Sequence, residues 1–169
     1  MTSDTFGPEP RAITDVERIA NDYLDCLVEL SPITATFLGV AGHDEDLDDF
    51  SPAGLTAHSD LRRGTLDALA MVAPVDDIDR VTVAAMQERL GLAEETHAAG
   101  LEQMSLNVLA STAQEIRDLF DLIPPDHDAH WPTCAARMTQ VPAAHHPYVP
   151  DPQGAEHEGR NLRPQYHRG

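Results

Sequence analysis

The sequence contains no lysine, few aromatic residues and only two cysteines. Its eleven basic residues are all arginine and are outnumbered by 29 acidic residues, which gives a formal net charge of -18. We interpret the arginine preference as the coding bias of a GC-rich genome. Nucleic acid and anionic membranes would repel so acidic a chain, so we expect neither as a partner.

Long hydrophobic runs and targeting signals are also lacking. The longest apolar run, from Ala68 to Val75, is too short to cross a bilayer. The N-terminus has neither the basic start nor the apolar stretch of a signal peptide. We therefore expect a cytoplasmic protein, in which Cys26 and Cys134 are buried free thiols rather than a disulfide.

The clearest local structure signal lies between residues 106 and 125. Ser111 and Gln114 have the spacing of a capping box, in which two side chains satisfy backbone N–H groups at a helix start. A helical apolar face follows, and Pro124-Pro125 ends the segment. The residues of that face are Ile116, Leu119, Phe120 and Ile123.

Further helix signals occur on both sides of this segment. Thr14 and Glu17 form a second capping box, and Ser-Pro pairs at 31–32 and 51–52 predict two more helix starts. Asp77 or Asp79 is suited to cap a fourth helix, and Arg63 is spaced to pair with Asp67. A last helix over residues 128–141 has a predicted apolar face of Trp131, Cys134, Ala135, Met138 and Val141.

These patterns predict an all-α protein, an irregular bundle of about five helices spanning residues 14–141. Residues 1–13 are predicted to be disordered. Residues 142–169 are rich in proline and histidine and lack a helical period, which also predicts disorder. We hypothesise that a frameshift replaced the true continuation shortly after Val141.

The acidic stretch from His43 to Asp49 partly resembles a calcium-binding loop. Asp44, Asp46 and Asp48 alternate as in an EF-hand. The sixth position is Asp49 instead of glycine, however, and the twelfth is Leu55 instead of glutamate. We therefore interpret the stretch as a solvated acidic loop.

Several histidines are candidate metal ligands. His97 falls on an apolar stripe with Val83, Met86, Leu90, Ala93 and Leu101, and is expected to be a hydrogen-bonded core or boundary residue. His127, His130 and Cys134 lack a fourth ligand at a recognised spacing.

The tail gives no better candidate. His145-His146 lies in a compositionally biased stretch, and His157-Glu158 is followed by Asn161 where a zinc peptidase motif needs histidine. No catalytic, cofactor-binding or metal residue is therefore assigned.

Three stretches carry a family resemblance: IANDYLDCLVELSPITATFLG at 19–39, VDDIDRVTVAAMQERLGL at 75–92 and LNVLASTAQEIRDLFDLIPP at 106–125. In order and spacing they resemble the N-terminal helical part of the bacterial family called domain of unknown function 885, in its actinobacterial form. The resemblance covers most of residues 14–141.

Complete members of that family look like zinc metallopeptidases with a His-Glu metal motif in their C-terminal half. The resemblance thus implies that this chain is a truncated helical fragment, inactive alone, whose partner is the missing catalytic region. By this resemblance, zinc would be bound by the catalytic region, and this chain would bind no cofactor. The alternative is a self-sufficient acidic helical module that binds a basic or apolar protein partner, and a hydrolase with an unrecognised site ranks last.

Overall fold

A computed structural model describes residues 11–102, 111–122 and 130–145, apart from the side chains of Thr112 and His145. Within these ranges the chain is all-α, with six helices and no strand. The helices are α1 (Asp15–Leu30), α2 (Pro32–Leu38), α3 (Pro52–Ala70), α4 (Asp77–Ala98), α5 (Thr112–Asp121) and α6 (His130–His145). The all-α prediction is confirmed, with one helix more than the predicted number.

Local signals place most helix starts correctly. The Thr14 hydroxyl accepts a hydrogen bond from the Glu17 N–H at the start of α1. Ser31 and Ser51 do the same for α2 and α3, each followed by proline in the first turn. Side-chain oxygens thereby satisfy N–H groups that have no partner inside the helix.

Two predicted caps are wrong in detail. The N-cap of α4 is Asp76, which accepts from the N–H of Asp79, and not Asp77 or Asp79. Ser111 begins α5 as predicted, but its hydroxyl contacts the side chain of Gln114 and makes no side-chain hydrogen bond to the backbone.

The helices form two packed groups joined by α2. Helices α1, α3 and α4 pack on one another, whereas α2 continues from α1 and contacts α5, which in turn contacts α6. One core cluster lies in the second group. Its buried members are Ile33, Ile116, Leu119 and Ala144, with Leu47, Phe50, Phe120 and Val141 packed around them.

Helix α5 presents the predicted face to this core. Ile116 and Leu119 are buried and Phe120 is partly buried, as the period indicated. Ile123 and Pro124-Pro125 lie outside the described residues.

Helix α6 presents a different face from the one predicted. Trp131 and Met138 are more than half exposed, while Arg137 and Ala144 are buried. The predicted face was based on apolar residues alone. In the structure, polar contacts of Arg137 with residues much earlier in the chain fix the rotation of the helix about its axis. The helix also continues to His145, four residues past the predicted boundary at 141. Residues 1–10 and 146–169 lie outside the described ranges.

Three smaller expectations also change. Cys26 is exposed and Cys134 is only partly buried, although both are free thiols. Leu101 follows the end of α4 and is 52% exposed, because the chain turns at Gly100 with a φ of 69°. Arg63 pairs with Asp60, three residues before it, instead of Asp67.

In the part of the chain that the structure describes, no helix is long and apolar enough to cross a membrane.

Candidate functional site

A half-buried polar network joins α3 to the end of α4, and we call it the Arg62 cluster: Ser59, Arg62, Glu94, His97 and Glu102. Arg62 donates from Nε to Glu94 Oε1 at 2.5 Å and from Nη2 to Glu102 Oε1 at 3.3 Å. The Ser59 hydroxyl donates to Glu94 Oε2 at 2.6 Å, and His97 Nδ1 lies 2.7 Å from Glu102 Oε2. The prediction that His97 is a hydrogen-bonded boundary residue is confirmed.

The electrostatics of the Arg62 cluster favour an ionised Glu94. Burial raises the pKa of Glu94, but hydrogen bonds from Ser59 and Arg62 outweigh that effect and leave the pKa below its ordinary value. Nearby, burial raises the pKa of Tyr23 even though Arg62 opposes the rise. Because Arg62 pairs with both carboxylates, the cluster is suited to fastening two helices rather than to accepting a proton from a substrate.

A second polar group fastens α6 to the acidic stretch after α2, and we call it the Arg137 clamp. The guanidinium Nη2 of Arg137 donates to Thr36 Oγ1 at 3.0 Å and to the carbonyl oxygen of His43 at 2.7 Å. One turn on, Gln140 Nε2 donates to the carbonyl oxygen of Glu45 at 2.6 Å. Arg137 is fully buried, and its Nε and Nη1 atoms have no hydrogen-bond partner.

Asp48 ties the acidic stretch to the start of α2. Its carboxylate accepts from the Ser31 hydroxyl at 2.6 Å and from the Ile33 N–H at 2.9 Å. Burial raises the pKa of Asp48 despite these bonds and the nearby charges of His58 and Arg137. The stretch is therefore not the fully solvated loop expected, since Asp48 points inward while Asp44, Glu45, Asp46 and Asp49 are exposed.

A third group joins the starts of α1 and α4. The buried Asp79 carboxylate accepts from the Val75 N–H at 3.0 Å and from the Thr14 hydroxyl at 2.9 Å, and Arg11 also contacts it. Burial raises the pKa of Asp79, but these hydrogen bonds outweigh it and hold the pKa below its ordinary value. A shallow cavity of about 440 Å³ lies beside this junction, with Ile13 and Val75 among its lining residues.

The candidate metal ligands are not assembled in the described ranges, where no group of three or more His, Cys, Asp or Glu side chains could hold a metal ion. Asp48 turns away from Asp44 and Asp46 to cap α2. His130 and Cys134 both lie on α6. The remaining candidates lie outside the described residues: His127, the side chain of His145, His146 and His157-Glu158.

No local sequence pattern indicates the buried roles of Arg62, Asp79 and Arg137. The partners that hold them in the folded protein include residues 32 to 101 positions away, as in Arg62–Glu94 and Arg137–Thr36. An arginine in an amphipathic helix is ordinarily read as a surface residue, because arginine is seldom fully buried unless paired.

The comparisons with known proteins agree with the resemblance seen in the sequence. No curated protein matches this chain. A family model described as bacterial protein of unknown function, DUF885, matches residues 32–167. That range takes in α2 to α6 and continues through the stretch interpreted above as frameshifted, while α1 precedes it. The chain therefore belongs to the DUF885 family of bacterial proteins.

Proposed function

We propose that this chain is a non-catalytic helical part of a metallopeptidase-like cytoplasmic protein, and that it packs against a catalytic region. The observation that carries the proposal is the exposed apolar surface. Phe37 and Leu38 at the end of α2, and Trp131 and Met138 on α6, are each more than half exposed. Arg137 of α6 donates a hydrogen bond to Thr36 of α2, so these exposed apolar side chains lie on two helices that contact each other, as expected of a face that another domain covers.

The chemistry of the described residues supports the same proposal. The Arg62 cluster, the Arg137 clamp and the Asp79 junction each join helices through paired charges or hydrogen bonds. The donors in these ranges do not fit a zinc ion, which prefers a tetrahedral set of nitrogen, sulfur and carboxylate ligands. By resemblance, the zinc motif belongs to the catalytic region, which the helices would help to wall.

The experiment is a binding and activity test with the 169-residue chain. The purified chain is titrated, by isothermal calorimetry, with the isolated catalytic region of a complete family member that carries the His-Glu motif. We expect saturable binding, and no hydrolysis of a mixed peptide library by the chain alone with or without added zinc. Hydrolysis by the chain alone, or the absence of binding, would overturn the proposal.

The second candidate is a stand-alone acidic interaction module. The observation in its favour is the row of exposed acidic residues on α1, with Asp22, Asp25 and Glu29 within two turns. This candidate expects a cooperative thermal melt of a monomer and retention on a basic peptide surface. A broad, non-cooperative melt would count against it.

A further inference from the structure

Helix α4 is apolar on two sides. Its inner side carries the buried Leu90 and the partly buried Met86 and Val83, and packs on α1 and α3. Its outer side carries Ile78, Val81 and Leu92, which are 59%, 69% and 55% exposed. A helix side with several apolar residues is ordinarily covered by a neighbour, whereas among the described residues the neighbours of α4 cover only its inner side.

The outer apolar residues form one straight stripe. Ile78, Val81, Ala85 and Leu92 fall within an arc of about 60° at roughly 100° per residue, and all four are exposed. From Ile78 to Leu92 the stripe is about 20 Å long, at 1.5 Å per residue. Its length and its spacing of threes, fours and sevens are those of a helix-packing seam.

One edge of this stripe is acidic. Asp77, Glu88 and Glu95 fall within about 20° of one another around the axis, roughly 60° from the centre of the stripe. All three are exposed. The ion pairs of Asp77 with Arg80 and of Glu88 with Arg89 involve solvent-exposed side chains, and such pairs contribute little. The edge therefore remains available to positive charge from outside.

We propose that the outer face of α4 is the docking site of an amphipathic helix whose apolar stripe is bordered on one side by lysine or arginine. The apolar stripe supplies the buried seam, and the acidic edge selects the charge of the partner and its orientation. The proposal rests on the proposed function, since such a helix would belong to the region that the chain packs against. A second copy of this chain is the poorer occupant, because its charge of -18 repels an identical molecule.

The test uses the full chain and two synthetic helical peptides of about 20 residues, long enough to span the stripe. Both peptides carry the same leucine stripe, and one edge is lysine in the first and glutamate in the second. Binding is followed by fluorescence anisotropy at about 150 mM salt, where long-range charge attraction is screened. We expect the lysine-edged peptide to bind at least ten times more tightly than the glutamate-edged peptide.

Variants separate a specific seam from general charge attraction. The variant Leu92→Glu should weaken binding of the lysine-edged peptide at least tenfold. Ile78→Gln is a milder second variant at the same stripe. Leu122→Glu is the matched control, because Leu122 follows α5 and is 48% exposed, against 55% for Leu92, and it should leave binding unchanged. Circular dichroism melts establish that each variant is folded.

A charge test uses the same design. The double variant Glu88→Gln, Glu95→Gln should reduce the preference of the chain for the lysine-edged peptide over the glutamate-edged peptide. The double variant Asp22→Asn, Asp25→Asn on α1 removes the same amount of charge and should leave that preference unchanged. Undiminished binding to the Leu92→Glu variant, equal weakening by the Leu122→Glu variant, or no binding of either peptide would overturn the inference. Concentration-dependent dimerisation that Leu92→Glu abolishes would also overturn it, because the occupant would then be a second copy.

The catalytic-region titration distinguishes this inference from the proposed function. If that region binds the wild-type chain and the Leu92→Glu variant equally, the proposed function stands and the α4 face is excluded as its docking site. If that region binds neither while the lysine-edged peptide still binds, the proposed function fails and the preference of the α4 face stands alone.

Discussion

The Nη2 atom of Arg137 donates a 2.7 Å hydrogen bond to the carbonyl oxygen of His43, which lies 94 residues earlier in the chain. This bond fixes α6 on the loop that follows α2 and turns Trp131 and Met138 toward solvent. The face that α6 offers to a partner is thus set by a buried cation.

Replacing Arg137 with alanine should lower the free energy of unfolding by about 2 kcal/mol, a value within the range that hydrogen bonds to a charged group contribute. The bonds to Thr36 and His43 would be lost together. Urea denaturation measures the change. Arg117→Ala is the control, because the Arg117 side chain is 75% exposed, and its effect should stay within about 0.5 kcal/mol. Equal effects would contradict the role of the clamp.

Replacing Leu119 with alanine should cost about 2 to 4 kcal/mol, since the side chain is fully buried in the α5 core and its removal leaves a cavity. Leu122→Ala serves as the control, because Leu122 is 48% exposed. Thermal melts of both variants compare the two positions. A small loss for Leu119→Ala would mean that α5 is not packed as described.

Two glycines of α3 should respond oppositely to alanine. A Cβ atom at Gly54 would collide with the backbone carbonyl of Asp49, whereas one at Gly64 meets open space. Gly54→Ala should therefore destabilise the protein, and Gly64→Ala should stabilise it by about 0.5 to 1 kcal/mol through the lower entropy of the unfolded chain. Parallel urea titrations decide the signs, and stabilisation by Gly54→Ala would contradict the close approach.

His58 should make stability fall as the pH is lowered from neutrality. Burial lowers the pKa of His58 in the folded protein, whereas an unfolded histidine titrates near pH 6.5. Acidification from about that pH down to the lower folded pKa therefore protonates the unfolded chain first and favours unfolding. Urea midpoints of the wild-type protein should fall more steeply over this window than those of His58→Gln.

Above about pH 7.5 the two proteins should give parallel curves, because histidine is then neutral in both states. The raised pKa of Asp48 acts in the opposite direction on acidification, but it is present in both proteins. Curves that stay parallel down to about pH 5 would contradict the prediction.

Much of the secondary structure could be predicted because its signals are local. The hydroxyls of Thr14, Ser31 and Ser51 cap helices within three residues of themselves. The buried face of α5 followed from its period because Ile116 and Leu119 are unambiguously apolar. The same reasoning failed for α6, where the buried position is an arginine, and for Cys26, whose apolar neighbours do not bury it.

The helical class, the acidity and the family of this protein follow from the sequence alone, since helix caps and apolar periods are local features and net charge is a sum over the composition. Which faces of α4 and α6 are covered depends instead on how the helices pack. Arg62 meets Glu94, Arg11 meets Asp79 and Arg137 meets His43 across 32 to 94 residues. Such pairings depend on how helices pack. Within residues 11–102, 111–122 and 130–145, packing also leaves the outer stripe of α4 exposed, because the helices that contact α4 there lie on its opposite side.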